Sequence, residues 1–202
     1  MSILPRRLLL ALLLTPIAAR AQAAPVAPVQ ALNQAIVQLM RSARSTSFEQ
    51  RLQAFTPVVQ QSFDLPLILR TAVGPRWTSF PPEVQAELLT VFTRFTVASY
   101  VANFDDFNGE RFEILPETRR VGADEVVQTR LVQPSGDPIR LDYVVRPAGE
   151  AWKIVDVLLN GSISRVAVQR SDFRSLLGNG DAAPLIASLR QKVARLAAGE
   201  TE

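Results

Sequence analysis

Between Pro82 and Phe107 the chain carries residues at helical spacing that are apolar on almost every side. At about 100° per residue, Val84, Leu88, Val91, Phe92, Phe95 and Ala102 form one broad stripe. Leu89, Val97, Tyr100 and Phe104 fall on the opposite side. Glu83, Glu87, Thr90 and Arg94 leave only a narrow polar seam. A helix with one wet face needs one hydrophobic partner, whereas this helix needs two. In a chain of 202 residues, one partner can be the protein core and the other an apolar ligand.

The segments before this helix also follow a helical period. Val29, Leu32, Ile36, Leu39 and Met40 recur at that spacing. Thr46 or Ser47 caps a second helix carrying Phe48, Leu52 and Phe55. Thr56-Pro57 opens a further short helical turn, because proline fits a first helical position. Asp64 caps a helix through Leu67, Ile68 and Val73 that Gly74-Pro75 stops.

After Gly109 the period changes to two. Four strands are predicted: Arg111 to Leu115, Glu125 to Gln133, Ile139 to Arg146 and Trp152 to Leu159. Their short, turn-rich connections imply an antiparallel meander. In the third strand Ile139, Leu141, Tyr143 and Val145 share a dry face, while Arg140, Asp142 and Arg146 take the wet one. In the fourth, the dry set is Val155, Val157 and Leu159. Two helices close the chain, the first marked by Ile163, Val166, Phe173, Leu176 and Leu177. The second is capped by Asp181 and buries Leu185, Leu189, Val193 and Leu196. Helices, a meander and further helices give a single α+β domain over residues 31–198, with residues 24–30 as a flexible lead.

The N-terminus is set apart. Arg6 and Arg7 precede the apolar run Leu8 to Leu14, and Ala21-Gln22-Ala23 fits an A-x-A cleavage site. Residues 1–23 therefore have the layout of a cleaved signal peptide, too short to span a bilayer comfortably. The formal charge of +3 comes from 22 basic and 19 acidic residues. Cleavage removes Arg6, Arg7 and Arg20 and no acidic residue, leaving 19 minus 19, a net of zero. No basic stripe remains to act as a phosphate footprint, so nucleic acid is not an expected partner.

Histidine and cysteine are both absent. That excludes Ser-His-Asp and Cys-His nucleophiles, His or Cys metal sites, and disulfides. No catalytic residue, metal or cofactor is expected. Asp105, Asp106 and Glu110 form the densest carboxylate cluster, with no EF-hand spacing, and read as a solvated helix end. Asp142 and Asp156 read as salt-bridge partners of Arg140 or Lys153, and Asn160-Gly161-Ser162 as a turn.

A dry sheet face and a helix apolar on two sides can enclose a slot between them. A slot lined by apolar and aromatic groups suits a lipid tail, and burial there is worth about 0.8 kcal/mol per CH₂. The helical side of the expected site is Val73, Trp77, Leu89, Phe92, Thr96 and Tyr100. The sheet side is Leu141, Tyr143, Val145, Val157 and Leu159. Tyr100 and Tyr143 each offer an apolar body and a polar tip for a head group at the mouth. Two other readings remain open: an envelope adaptor without ligand, and an enzyme using Asp105 or Asp142 beside Tyr143 on a polycyclic lipid.

Phe63 to Trp77 (FDLPLILRTAVGPRW), Pro82-Glu83, the Phe92/Phe95 helix and Tyr100 resemble the MlaC or toluene-tolerance family of periplasmic lipid carriers. Trp152 to Ser164 (WKIVDVLLNGSIS), followed by Arg170, Asp172 and Phe173, is similar to that family's closing signature. The resemblance covers roughly residues 30–197. It implies an exported α+β domain with a lipid cavity between sheet and helices; a monomer in the periplasm is expected. It also implies shuttling of lipid between an outer-membrane lipoprotein complex and an inner-membrane ABC transporter complex. Many members carry a tyrosine where Gln169 stands. With Arg170-Ser171-Asp172-Phe173, this variant looks more like the hopanoid-biosynthesis-associated HpnM branch, so the implied cargo is a phospholipid or a hopanoid.

Overall fold

Side-chain caps fix where the second and third helices begin in the computed structural model, which describes residues 24–200. The expected signal peptide, residues 1–23, lies outside the described residues. α1 spans Ala27–Ser42 and α2 spans Phe48–Ser62. Ser47 caps α2 through a capping box, its hydroxyl accepting from the Gln50 N–H while the Gln50 side chain accepts from the Ser47 N–H. Asp64 accepts from the Leu67 N–H at 3.0 Å and so starts α3, Leu65–Val73. A 3-10 segment, Gly74–Ser79, leads into α4, Pro82–Asn103.

Two expectations fail in this half. Residues 27–30 are the first turn of α1 rather than a lead, because Val29 is fully buried. Pro57 does not open a new turn. α2 runs through it, since Phe55 and Val59 on either side are both buried and hold the helix against the core.

The sheet is an antiparallel meander of five strands in sequence order. They are β1 (Arg111–Val121), β2 (Asp124–Val132), β3 (Ile139–Ala148), β4 (Ala151–Leu159) and the two-residue β5 (Ile163–Ser164). The four-strand expectation lacked β5. β1 also runs past its expected end at Leu115: the register with β2 breaks between Ile114 and Thr118 and then resumes. Pro116 is tolerated there because β1 is an edge strand. α5 (Arg165–Leu176) and α6 (Ala183–Ala197) complete the chain.

α4 meets its two apolar demands with protein on more than one side. It packs against α6 and against α2, with a smaller contact to α3. At its C-terminal end the buried Arg51 of α2 donates to the Val101 carbonyl at 3.1 Å, satisfying an acceptor that has no intrahelical partner. The helical layer is tied to the sheet at the α2–α3 junction, where Asp64 N–H donates to the Ile154 carbonyl at 2.9 Å and Phe63 bridges Ile154. Among the described residues no helix is long and apolar enough to cross a membrane.

One irregularity decides which sheet residues face the helices. Val144 pairs with Asp156 but Val145 pairs with Ile154, so Val155 has no partner of its own. This bulge changes the alternation. The inward set on β4 is Ile154, Val157 and Leu159, not Val155, Val157 and Leu159. Tyr143 faces Val157 and Leu141 faces Leu159 across the ladder.

Asp142 also departs from expectation. It lies on the face read as wet, yet it is 0% exposed. Arg140 folds over it: Nε donates to both carboxylate oxygens at 3.1 and 3.0 Å, and Nη2 donates to Oδ2 at 2.7 Å and to Gln128. The Asn160-Gly161 turn, at φ 52° and 75°, lets the chain lie against this guanidinium. A Cβ at Gly161 would stand 2.6 Å from Arg140 Nε, so a larger residue there would have to push this guanidinium aside as well as adopt a positive φ. The expected Arg140–Asp142 pair is present, and Asp156 serves the α5 N-terminus instead.

Candidate lipid cavity

A half-open cavity of about 490 Å³ lies between the C-terminal half of α4 and the inner face of the sheet. α4 contributes Phe92, Phe95, Thr96, Ser99, Tyr100 and Asn103. The sheet contributes Leu131, Leu141, Tyr143, Val157 and Leu159. Phe63, Leu65 and Ile68 close one end, and Val166 of α5 lies on the wall. The volume falls within the range of small-molecule pockets.

An aromatic cluster shapes the α4 wall. Tyr100 lies 5.6 Å from Phe55 and 6.0 Å from Phe63, measured between ring centroids, and stacks on Phe104 at 5.9 Å. Phe104 in turn meets Phe112 of β1 at 6.3 Å. Deeper in, Phe92 meets Phe173 of α5 edge-on at 6.3 Å. Phe63, Phe92, Tyr100 and Phe104 line the cavity, and Phe55, Phe112 and Phe173 back them from outside it.

Of the expected site residues, Phe92, Thr96, Tyr100, Leu141, Tyr143, Val157 and Leu159 come together on this one cavity. Val73, Trp77, Leu89 and Val145 do not line it. Val73 and Val145 are buried in the core, and Trp77 packs on the core from the 3-10 segment. Leu89 lies on the same azimuth of α4 as Thr96 and Tyr100, but about 10 Å further along the axis. It lines a separate groove with Leu52, Pro66 and Thr93. Phe63 and Leu65 border both hollows and divide them.

The polar mouth was not assembled by sequence reasoning. Asn103, Asp105, Asp106 and Glu110 border the cavity on the α4–β1 side. Asp106 is bridged to Arg44 at 2.8 Å and Phe107 lies under Arg41 at 4.9 Å, so the end of α1 holds this loop. Arg165 and Gln169, one turn apart on α5, border it on the other side. Their i, i+4 spacing around the buried Val166 was the available signal. Among the described residues no group of three carboxylates is placed to hold a metal ion.

The two tyrosines are the only ones in the chain. Tyr143 is 1% exposed. Neither hydroxyl has a hydrogen-bond partner among the described residues. Loss of solvation lifts both phenols well above their ordinary value; Arg165 offsets this slightly at Tyr100, and Tyr100 adds to it at Tyr143. The unfolded chain ionises near pH 10, where the folded chain still holds both protons. Stability from this source is complete below about pH 10 and is lost as pH rises from there through the folded values. Phenolate absorbance should therefore stay flat through pH 10 and then rise together with loss of circular dichroism. A separate titration centred near 10 would contradict the burial.

Three comparisons bear on this arrangement. No curated protein matches the chain. Among solved structures, the fold is similar to that of a phospholipid-binding protein from Ralstonia solanacearum, determined in complex with a phospholipid. The TM-score is 0.75 at 20% sequence identity, covering 87% of this chain and 99% of that one. The MlaC protein family model matches residues 30–191, which is most of the chain, and the chain belongs to the MlaC family.

Proposed function

We propose that this protein is a non-enzymatic lipid carrier that works in the periplasm. One observation carries the reading: the largely apolar cavity between α4 and the sheet, in a chain of the MlaC family. Acyl chains lie along Phe92, Thr96, Leu141, Val157 and Leu159, and the polar end of the lipid sits toward the mouth. The Ralstonia protein of similar fold, solved with a phospholipid, supports phospholipid as the cargo. The carrier leaves the inner membrane with its lipid, travels as a monomer, and hands over to an outer-membrane system or the reverse. Residues 1–23 act as the export signal and are removed.

A second cargo, a hopanoid-type lipid, is favoured by one observation. Gln169 borders the cavity, and its side chain lacks the ring of the tyrosine that the resemblance to the family implies there, which leaves room for fused rings.

Incubation of lipid-stripped protein with phospholipid vesicles, followed by separation and extraction, tests the carrier reading. About one lipid per protein is expected. A folded protein that takes up no lipid from phospholipid or hopanoid vesicles would refute it.

A further inference from the structure

α3, the 3-10 segment and α5 bring an excess of cations to one exposed region. From Leu65 to Ser79 the chain holds Arg70 and Arg76 and no acidic residue. From Arg165 to Gly180 it holds Arg165, Arg170 and Arg174 against Asp172 alone. α3 packs along α5, and this join draws four of the arginines together. A Cβ at Gly74 would stand 3.9 Å from both Nε and Nη2 of Arg170, and the Gly74 N–H donates to the Arg70 carbonyl at the end of α3. Arg76 reaches the end of α5, its Nη2 donating to the Gly178 carbonyl at 3.1 Å. Arg174 lies one turn beyond Arg170 on α5. Arg70, Arg76, Arg170 and Arg174 are all exposed, and none has a carboxylate within ion-pair distance among the described residues.

The neighbouring acids do not cancel this charge. Asp172 sits about 160° round the helix from both Arg170 and Arg174. Asp181, just past Gly180, accepts from the Ala183 N–H at 2.9 Å. The acids of the cavity mouth, Asp105, Asp106 and Glu110, border it on the α4–β1 side, whereas α5 borders the other. Residues 24–202 carry 19 cations and 19 acids, so the excess is local and arises only when three segments meet. A protein footprint has an apolar centre, and no exposed large hydrophobic residue stands among these arginines. Val168, the one on α5, is about 120° or more round the helix from Arg170 and Arg174. Trp77, next to Arg76, is half-buried with no partner for its indole N–H among the described residues, a ring of the kind that settles at headgroup depth.

We infer that Arg70, Arg76, Arg170 and Arg174 dock the protein on an anionic lipid bilayer. α5 ties this contact to the cavity: its first turns border the mouth through Arg165 and Gln169, and its later turns carry Arg170 and Arg174. Docking therefore holds the mouth within about 15 Å of the lipid surface.

Co-sedimentation of the lipid-stripped mature protein with sucrose-loaded vesicles tests this. The vesicles are phosphatidylcholine alone or phosphatidylcholine mixed with phosphatidylglycerol. Wild type should sediment with the mixed vesicles and stay in solution with the neutral ones. Adhesion should vanish as salt rises from about 0.05 M to about 0.5 M. Arg70 and Arg174 make no hydrogen bond or ion pair among the described residues, so Arg70→Gln/Arg174→Gln should keep its thermal midpoint. Its vesicle partition should fall about thirtyfold, from about fivefold per arginine. The control, Arg119→Gln/Arg120→Gln on β1, removes the same charge from exposed arginines elsewhere and should adhere as wild type does. Equal adhesion to both vesicle types, equal loss in the two double variants, or no adhesion at low salt overturns the docking face. The readout counts protein on vesicles and not lipid in the protein. Wild type that adheres yet takes up no lipid supports the docking face and refutes the carrier reading alone.

Discussion

Leu141→Glu will abolish lipid retention while leaving the protein folded. Leu141 lies on the cavity wall opposite α4, paired with Leu159 and one residue removed from the buried Asp142. A carboxylate there faces water when the half-open cavity is empty, so the unliganded protein tolerates it. When acyl chains enter, the charge must lose its solvation without gaining a partner. Even a partial penalty of about 3 kcal/mol costs a factor of about a hundred or more in affinity. Vesicle uptake should fall to background with an unchanged circular dichroism spectrum. Leu141→Met, which keeps volume and polarity, should bind as wild type does. Equal uptake by Leu141→Glu would place the lipid elsewhere.

Leu189→Ala should have the opposite profile. Leu189 is 1% exposed on α6, which packs on α4, and no α6 residue lines the cavity. The truncation leaves a void in a face made only of protein and should cost about 3 kcal/mol. For a domain of this size that lowers the thermal midpoint by roughly 10 °C. Lipid retained per folded molecule should not change. If retention fell in step with stability, the protein-packed face and the ligand face of α4 would not be separate.

The two variants divide the helix that dominates the sequence, and they show where reading it reached. Period 3.6 identified α4 and its need for two partners, and local chemistry identified the caps at Ser47 and Asp64. Those features depend on neighbours within four residues, so the sequence displays them directly. The cavity wall was legible where side chains follow ideal geometry, as at Phe92, Tyr100 and Leu141. It was not legible at Val155, because a bulge depends on how β4 meets β3 and leaves no local mark. Leu89 pointed the right way but lay too far along the axis, since the α2–α3 junction closes the hollow with Phe63 and Leu65. The Arg140–Asp142 pair was readable, but Asp142 looked wet because an alternating pattern does not show that the pair will be folded in and the carboxylate buried. Arg165 and Gln169 stayed hidden for a similar reason: only the return of α5 after β5 brings them to the mouth.

Native mass spectrometry of the mature protein, isolated from its own cell envelope without detergent, tests the existence of a guest most directly. The expected spectrum shows one added lipid mass that collisional activation releases and that is missing from Leu141→Glu. A spectrum of bare polypeptide from both proteins, with no added mass after exposure to envelope lipids, would contradict a cavity built for lipid.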